Sequence, residues 1–325
     1  SNLPPLSIIF ISMNEKGYPK VSVIINCLNG EKHLRQTLDS VFAQTYEDWE
    51  IIFWDNFSAD KSAEIAKSYG ERVRYFKSSS THPLGKARNL ATEKARGDFV
   101  AFLDCDDIWL PQKLEKQMKL FDEDPQVGLV FSDVLFFDGN RHLYQLMGKK
   151  KPPRGMVFRE LLTSFYIGCL SAVIRKSVME GSEWFDGRFN NIEDADLFFR
   201  IAYSHKLDYV DEPLAKWRMH DTSQTFMKYE LYASERELFL EKFSKLHPNF
   251  EEEYSREIKE YANKTLHFNV LGEWLNYRPE NARKKILKSK LNDTFGYALY
   301  VLTFLPPSIF FSLNKLRYKI RSIIG

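Results

Sequence analysis

The first third of the chain alternates short apolar runs with amphipathic segments. Apolar, β-branched runs predict four buried strands, at residues 21–26, 49–54, 73–76 and 98–103. Between the first two runs, Leu34, Leu38 and Val41 recur at the spacing of one helix face. Strands and helices alternate in this way in doubly wound α/β folds, whose ligands bind beyond the carboxyl ends of the strands.

The pattern becomes less regular after Pro111. It predicts helices at residues 112–121 and 193–204, strands at 127–137 and 207–217, and only helices after Thr225. The sequence therefore predicts three parts: an N-terminal extension (1–19), an α/β domain (20–225) and a C-terminal helical region (226–325). The apolar run at 6–11 has no basic residues before it, so no signal peptide is expected.

Composition and charge exclude several classes of protein. The 325 residues are 44% hydrophobic and carry 46 basic against 44 acidic side chains, a net charge of +2. This balance argues against a disordered chain and against a nucleic-acid-binding protein. The three cysteines, Cys27, Cys105 and Cys169, lie far apart in the sequence. They exclude a disulfide framework or a clustered zinc site, and are typical of small buried side chains in a reducing compartment.

The C-terminal tail has the pattern of a membrane-surface segment. Residues 294–314 carry no charge, but Pro306 and Pro307 divide them into two halves too short to span a bilayer. Basic and apolar side chains then alternate, with the basic ones at Lys315, Arg317, Lys319 and Arg321. The tail therefore predicts peripheral attachment to an anionic membrane surface. A helical pair packed on the α/β domain is the alternative.

Acidic residues follow the fourth predicted strand directly, in the segment Asp104-Cys105-Asp106-Asp107. Clustered carboxylates repel one another unless a cation joins them, and oxygen ligands favour Mg²⁺ or Mn²⁺. A solvated acidic turn is the alternative. Asp55 ends the second strand and should open on the same sheet edge. Arg88 lies near the start of a predicted helix, a position that suits an anionic ligand.

Several segments together resemble the inverting family-two glycosyltransferases, which have the GT-A fold. The matching segments occur in the family's order at residues 21–29 (VSVIINCLN), 38–45 (LDSVFAQT), 49–52 (WEII), 87–89 (ARN) and 95–107 (ARGDFVAFLDCDD). The resemblance extends from Lys20 to about Ser223 and is closest before Pro111. It implies an α/β GT-A domain, here followed by a helical extension.

The resemblance also implies roles for individual residues. It implies donor binding by Asn26, Asn29, Asp55, Arg88 and Asp104, with Asp55 at the base and Asp104 toward the ribose. Asp106, with Asp104 and His220, would hold a divalent metal, Mn²⁺ or Mg²⁺. In the acidic pair Glu193-Asp194 at the head of a helix, Asp194 matches the usual general base. The macrodipole alone could also explain acids in a first turn, where each stabilises by ~0.3–1 kcal/mol.

The chain departs from the family pattern at two turns. Asn26-Cys27-Leu28 stands where the family often has Pro-Thr-Tyr, and Asn56-Phe57-Ser58 where it usually has Asp-Gly-Ser. Asp196 should point away from Asp194, as a solvated or packing acid. Core packing is favoured over a sugar-stacking wall for three tryptophans, Trp109, Trp184 and Trp217.

The expected function is inverting, metal-dependent sugar transfer in polysaccharide biosynthesis. The donor would be a nucleotide-sugar, with UDP expected, and the acceptor a glycan or lipid-linked sugar. The enzyme would work in the cytoplasm at the inner face of the cell membrane. A non-catalytic nucleotide-sugar-binding subunit is the main alternative. A nucleotidyltransferase is disfavoured because residues 26–30 lack a glycine-rich, basic loop.

Overall fold

The computed structural model describes residues 17–139, 141–148, 151–219, 229–289 and 294–309. Nine strands form one sheet: β1 (Val21–Cys27), β2 (Trp49–Asp55), β3 (Val73–Lys77), β4 (Phe99–Asp104), β5 (Ile108–Trp109), β6 (Val127–Asp138), β7 (Arg141–Gln145), β8 (Val173–Arg175) and β9 (Lys206–Arg218). Helices on the α/β part are α1 (Leu34–Phe42), α2 (Ser62–Lys67), α3 (Leu84–Thr92), α4 (Lys113–Glu123), α5 (Phe158–Thr163) and α6 (Glu193–Ser204). The helical region contains α7 (Tyr229–Leu246), α8 (Phe250–Glu253), α9 (Ser255–Leu275), α10 (Pro279–Ser289) and α11 (Thr294–Leu302).

The first four strands form a parallel unit whose carboxyl ends meet at one edge. The strand order is β3-β2-β1-β4-β8-β6-β9-β5, and β7 pairs with β6. The register places Cys27 opposite Asp55 and Asn26 opposite Asp104. This pairing brings the predicted donor-binding residues to the same sheet edge, as expected for consecutive parallel strands.

The second half of the sheet is mixed rather than parallel. β8 lies antiparallel between β4 and β6, β6 and β9 are parallel, and β5 is antiparallel to β9. The predicted strands at 127–137 and 207–217 are confirmed within one residue. By contrast, β5, β7 and β8 were not predicted, because runs of two to five residues carry too little periodicity to identify a strand.

Two hydrophobic layers bury the sheet on both faces. Along β1 the side chains alternate, so that Ile24 packs with α3 and α6 while Val23 and Ile25 pack with α1 and α4. All seven residues of β1 are buried. This burial explains why its sequence is a continuous apolar run rather than an alternating one.

The helical region packs against the α6 side of the sheet. Phe239 and Phe243 of α7 and Tyr261 of α9 join the core that contains Phe199 of α6. A smaller core around Trp274 unites α9, α10 and α11. No helix in the described ranges is long and apolar enough to cross a membrane. The basic tail from Lys315 lies outside the described residues, so the predicted anchor there stays a prediction.

Candidate active site

Asp55 closes the turn after β2. It is fully buried; Oδ1 accepts from the Ser58 backbone N–H at 2.7 Å and Oδ2 from the Tyr75 hydroxyl at 2.6 Å. Each carboxylate oxygen has a second lone pair, so these bonds orient the group without exhausting it. Asp55 therefore shapes the sheet edge at which it was predicted to bind a base.

Asn26 has a buried amide without a partner in the described part of the protein. Neither Oδ1 nor Nδ2 makes a hydrogen bond there, although both atoms are buried. Leaving a buried polar group unsatisfied costs ~1–3 kcal/mol, so such groups call for a ligand or a water molecule. The register places this amide between the ends of β2 and β4.

The two turns that depart from the family pattern hold each other in place. The Asn29 N–H donates to Ser58 Oγ at 3.0 Å, and the Ala59 N–H donates to Asn29 Oδ1 at 2.9 Å. Phe57 has a φ of 75° and is 51% exposed. Its backbone is thus left-handed, a conformation that glycine adopts readily and that costs a residue with a Cβ ~1–2 kcal/mol. The position where the family usually has glycine therefore has a backbone conformation that favours glycine.

Arg88 joins the two predicted groups of site residues. Its buried guanidinium donates to Asp104 Oδ1 at 2.8 Å through Nη2 and to Glu193 Oε1 at 3.1 Å through Nη1. Asp104 ends β4, whereas Glu193 begins α6. Because Arg88 lies on α3, one side chain fixes the distance between the sheet edge and the acidic helix start.

Three carboxylates face this single guanidinium. Burial and the charge of Asp194 raise the pKa of Glu193 to about 7. Burial also raises the pKa of Asp194, while Arg88 acts to lower it. The charge of Arg88 does not offset the burial of Glu193 and Asp194, so both groups bind a proton more readily than exposed carboxylates do. Asp194 Oδ1 accepts from the Ala195 N–H at 2.8 Å, which orients the carboxylate.

Arg218 braces the acidic loop after β4. Its backbone N–H donates to Asp107 Oδ1 at 2.8 Å, and its Nε donates to the Asp106 carbonyl at 2.7 Å. Asp107 is fully buried and so has a structural role. His220, predicted as a metal ligand, lies outside the described residues.

The carboxylates of Asp104 and Asp106 suit a cation that also binds the phosphate groups of a ligand. Within the described ranges no three His, Cys, Asp or Glu side chains are grouped to hold a metal ion. Mg²⁺ is commonly held by only one or two carboxylates together with substrate phosphates. Asp104, whose side chain is 41% exposed, and Asp106 supply such a pair at the sheet edge.

A cleft of about 270 Å³ opens beside the Arg88 cluster. Four predicted residues line it: Arg88, Asp104, Glu193 and Asp194. Asn26, Asn29, Asp55 and Asp106 lie outside this lining. The structure thus divides the predicted site into two halves. The donor half comprises Asn26, Asn29, Asp55, Asp104 and Asp106 at the strand ends. The base half comprises Glu193 and Asp194 at the start of α6.

Aromatic side chains cover much of the remaining cleft wall, namely Phe165, Tyr166, Trp217 and Tyr232. Of the three tryptophans considered from the sequence, only Trp217 lies in this wall. Trp109 is buried and donates to the Leu170 carbonyl, and Trp184 packs against Phe102. Core packing is thus confirmed for Trp109 and Trp184, and Trp217 both packs against Phe136 of the core and lines the cleft.

Sequence reasoning missed one contact between distant residues, and it gave no sign of another. Cys27 and Cys105 are far apart in the sequence, but their side chains meet at Gly30. A Cβ at Gly30 would lie 2.7 Å and 2.9 Å from the two sulfur atoms. The missed contact is that of Glu235, on α7, with the loop before Glu193. No motif surrounds Glu235, so the sequence held no signal for it.

Comparison with known proteins identifies relatives over most of the chain. Residues 22–181 match the model of glycosyl transferase family 2. The chain is 32% identical over 217 residues to the uncharacterized glycosyltransferase MJ1057 of Methanocaldococcus jannaschii, covering 64% of this chain and 73% of that protein. It is 27% identical to the UDP-Glc:alpha-D-GlcNAc-diphosphoundecaprenol beta-1,3-glucosyltransferase WfgD of Escherichia coli, with coverage of 65% and 81%.

Solved structures support the fold. S. aureus TarS 1–349 in complex with UDP-GlcNAc superposes with a TM-score of 0.55 at 17% identity, over 88% of this chain and 89% of that one. The chain spans 54% of a longer TarS chain. The mannosyltransferase PcManGT from Pyrobaculum calidifontis, in complex with GDP-Man and Mn2+, gives a TM-score of 0.57 at 15% identity, with coverage of 97% and 89%. The expected GT-A architecture with a helical C-terminal region is thus confirmed.

Proposed function

This chain belongs to glycosyltransferase family 2, and from that premise we propose that it transfers a sugar from UDP to a glycan hydroxyl with inversion at the anomeric carbon. The observation that carries the proposal is the Arg88 bridge. It joins Asp104, at the donor half, to Glu193, whose neighbour Asp194 lines the cleft. A donor at the strand ends would therefore present its sugar beside a carboxylate.

Two observations support a uridine donor. WfgD is named for UDP-Glc, and TarS was solved with UDP-GlcNAc. The amide of Asn26, which has no partner among the described residues, and the oriented carboxylate of Asp55 offer hydrogen-bonding groups at the edge where a nucleoside would lie. PcManGT, by contrast, binds GDP-Man, so a guanosine donor is the alternative that a test must separate.

A divalent cation at Asp106 and Asp104 is part of the proposal. Mn²⁺ in the PcManGT complex supports a metal of this class. When bound, such a cation would neutralise the negative charge that develops on the departing diphosphate. His220 would be a further ligand by family resemblance.

Asp194 acts as general base in the proposed reaction. Its carboxylate takes the proton of the acceptor hydroxyl as that oxygen attacks the anomeric carbon. The bond from that carbon to the diphosphate oxygen breaks in the same displacement, so no covalent intermediate is required. Arg88 favours the ionised form of Asp194. Glu193 is less suited to the role because Arg88 already holds it.

A lipid-linked acceptor at a membrane surface completes the proposal. On and just after α11, Tyr297, Val301 and Phe304 are 61%, 63% and 64% exposed. Their spacing places them on one helix face, and Lys284 and Lys288 of α10 are exposed as well. An apolar stripe with nearby basic groups suits the interface of an anionic leaflet. The diphosphoundecaprenol in the name of WfgD supports an acceptor of this class.

The proposed function is tested by transfer assays with UDP-Glc, UDP-GlcNAc and GDP-Man as donors. A synthetic lipid-diphosphate sugar serves as acceptor and Mn²⁺ is present. We expect product from a UDP-sugar and none from GDP-Man, with an anomeric configuration opposite to that of the donor by NMR. Exclusive use of GDP-Man would overturn the uridine assignment. Binding of UDP without any transfer or hydrolysis would favour the non-catalytic subunit.

Membrane attachment is tested separately by sedimentation with vesicles. The triple variant Tyr297→Ser, Val301→Ser, Phe304→Ser removes the stripe, and Met156→Ser with Leu246→Ser removes equally exposed apolar groups elsewhere. We expect the triple variant to lose binding to anionic vesicles while the control keeps it. Equal sedimentation of both variants would show that the stripe does not contact lipid.

A further inference from the structure

The loop before Glu193 is held by a carboxylate from the helical region. Glu235 of α7 accepts hydrogen bonds from the backbone N–H groups of Asn190 at 2.8 Å, Asn191 at 2.9 Å and Ile192 at 3.0 Å. Glu235 is buried, with only 3% of its surface exposed to solvent. A buried carboxylate with three backbone donors is a strong, directional contact, because charge-assisted hydrogen bonds exceed neutral ones.

Helix α6 has no side-chain cap of its own. Its cap position is Ile192, whose own side chain is apolar and makes no capping hydrogen bond. A helix N-terminus leaves backbone N–H groups unsatisfied unless another group accepts from them. Glu235 accepts from the N–H of Ile192 and of the two residues before it, from a position 43–45 residues further along the chain.

A second contact joins the same two helices. Lys242 of α7 donates to Asp196 Oδ1 at 2.5 Å, and Arg200 donates to Asp196 Oδ2 at 2.9 Å. Asp196 is fully buried, so its predicted role as a packing acid is confirmed. Glu235 and Lys242 are seven residues apart, about two helical turns, and so lie on one face of α7. This face therefore holds α6 on both sides of Asp194.

We propose that Glu235 is a positioning residue that sets the place of the Asp194 carboxylate relative to the donor half. The inference rests on the proposed role of Asp194 as base. Glu235 itself does not line the cleft, whereas Tyr232, about one turn earlier on α7, does. Removing the Glu235 contact frees the backbone of residues 190–192 and displaces Asp194. The strand ends that carry Asn26 and Asp55 are not touched.

The test compares Glu235→Gln with Glu237→Gln, an exposed glutamate on the same helix. Glutamine keeps the size of the side chain but turns an amide NH₂ toward backbone N–H groups. We expect Glu235→Gln to lower kcat by on the order of tenfold to a hundredfold, as misplacement of a catalytic group does. UDP affinity should stay within about twofold, and amide hydrogen exchange at residues 190–192 should accelerate. Glu237→Gln should match the wild type in all three.

Three further variants make the outcome decisive. Glu235→Asp keeps the charge and should restore part of kcat, even if Glu235→Gln folds poorly. Lys242→Met removes a buried charge from the same helix pair, and should cost more stability but less kcat. If the loss of kcat is in the same proportion to the loss of melting temperature in Glu235→Gln and in Lys242→Met, Glu235 is merely structural and the inference is overturned.

Asp194→Asn separates the proposed role of Glu235 from the proposed role of Asp194. If Asp194→Asn loses turnover while Glu235→Gln turns over like the wild type, only the proposed role of Glu235 is overturned. If Asp194→Asn keeps full turnover, the proposed role of Asp194 as base is overturned.

Discussion

The donor half and the base half of the site are built in different ways. Residues of the donor half follow β1, β2 and β4, so the register of neighbouring parallel strands sets their spacing. The base half stands at the start of one helix, and its place depends on side chains from distant elements. Arg88 reaches Glu193 across 105 residues, and Glu235 reaches Asn190 across 45. Backbone pairing therefore fixes where the donor would bind, whereas a few charged side chains fix where the base stands.

The largest effect should come from changing the base half alone. Asp194→Asn removes the proposed proton acceptor at nearly constant volume, so we expect turnover to fall by on the order of 10²–10⁴. UDP affinity, measured by calorimetry, should stay near the wild-type value because the strand ends are unchanged. Unchanged turnover would show that another group takes the proton and that the two halves are not divided by role.

A smaller effect should come from the donor half. Asp106→Asn removes one carboxylate from the proposed cation site, so UDP binding in Mn²⁺ should weaken on the order of tenfold to a hundredfold, since a charge-assisted contact contributes ~1.5–3 kcal/mol. Calorimetry with and without chelator measures this directly. In chelator, wild type and variant should bind UDP equally.

Asp138→Asn, which changes an exposed carboxylate, is the matched control for the cation site and should bind UDP as the wild type does. Wild-type transfer by Asp106→Asn in the presence of chelator would exclude the metal proposal.

The smallest effect concerns the pH dependence of stability in the base half. The pKa of Glu193 is raised from 4.5 to about 7 by burial, so ionisation of this group opposes folding. As pH rises from 4.5 to 7, the unfolded chain releases this proton before the folded protein does. The wild type should therefore lose stability relative to Glu193→Gln across that window, by an amount on the order of 1–3 kcal/mol. Chemical denaturation at several pH values measures the difference. A constant difference from pH 4 to 8 would contradict it.

The sequence predicted the strand and helix that carry Asp104 and Glu193 well because strand and helix signals are local. The end of β4 at Asp104 and the full extent of α6 from Glu193 follow from apolar periodicity. What it could not predict depends on contacts between distant residues. The meeting of Cys27 with Cys105 needs the pairing of β1 with β4, and the contact of Glu235 needs α7 to dock on α6. Phe57 shows a further limit, because its residue type gave no sign that its backbone is left-handed.

The contact made by Glu235 also bears on the order in which activity arises during synthesis. A chain leaves the ribosome from its N-terminus, and its domains fold as they emerge. The donor half is complete once Arg218, which braces the loop at Asp106 and Asp107, has emerged, whereas the loop at 190–192 lacks its acceptor until Glu235 follows. We expect nascent chains arrested between these points to bind UDP without transferring sugar, and uridine-agarose capture of such chains would detect it. The growing polypeptide would thus become a nucleotide-binding protein first and an enzyme later.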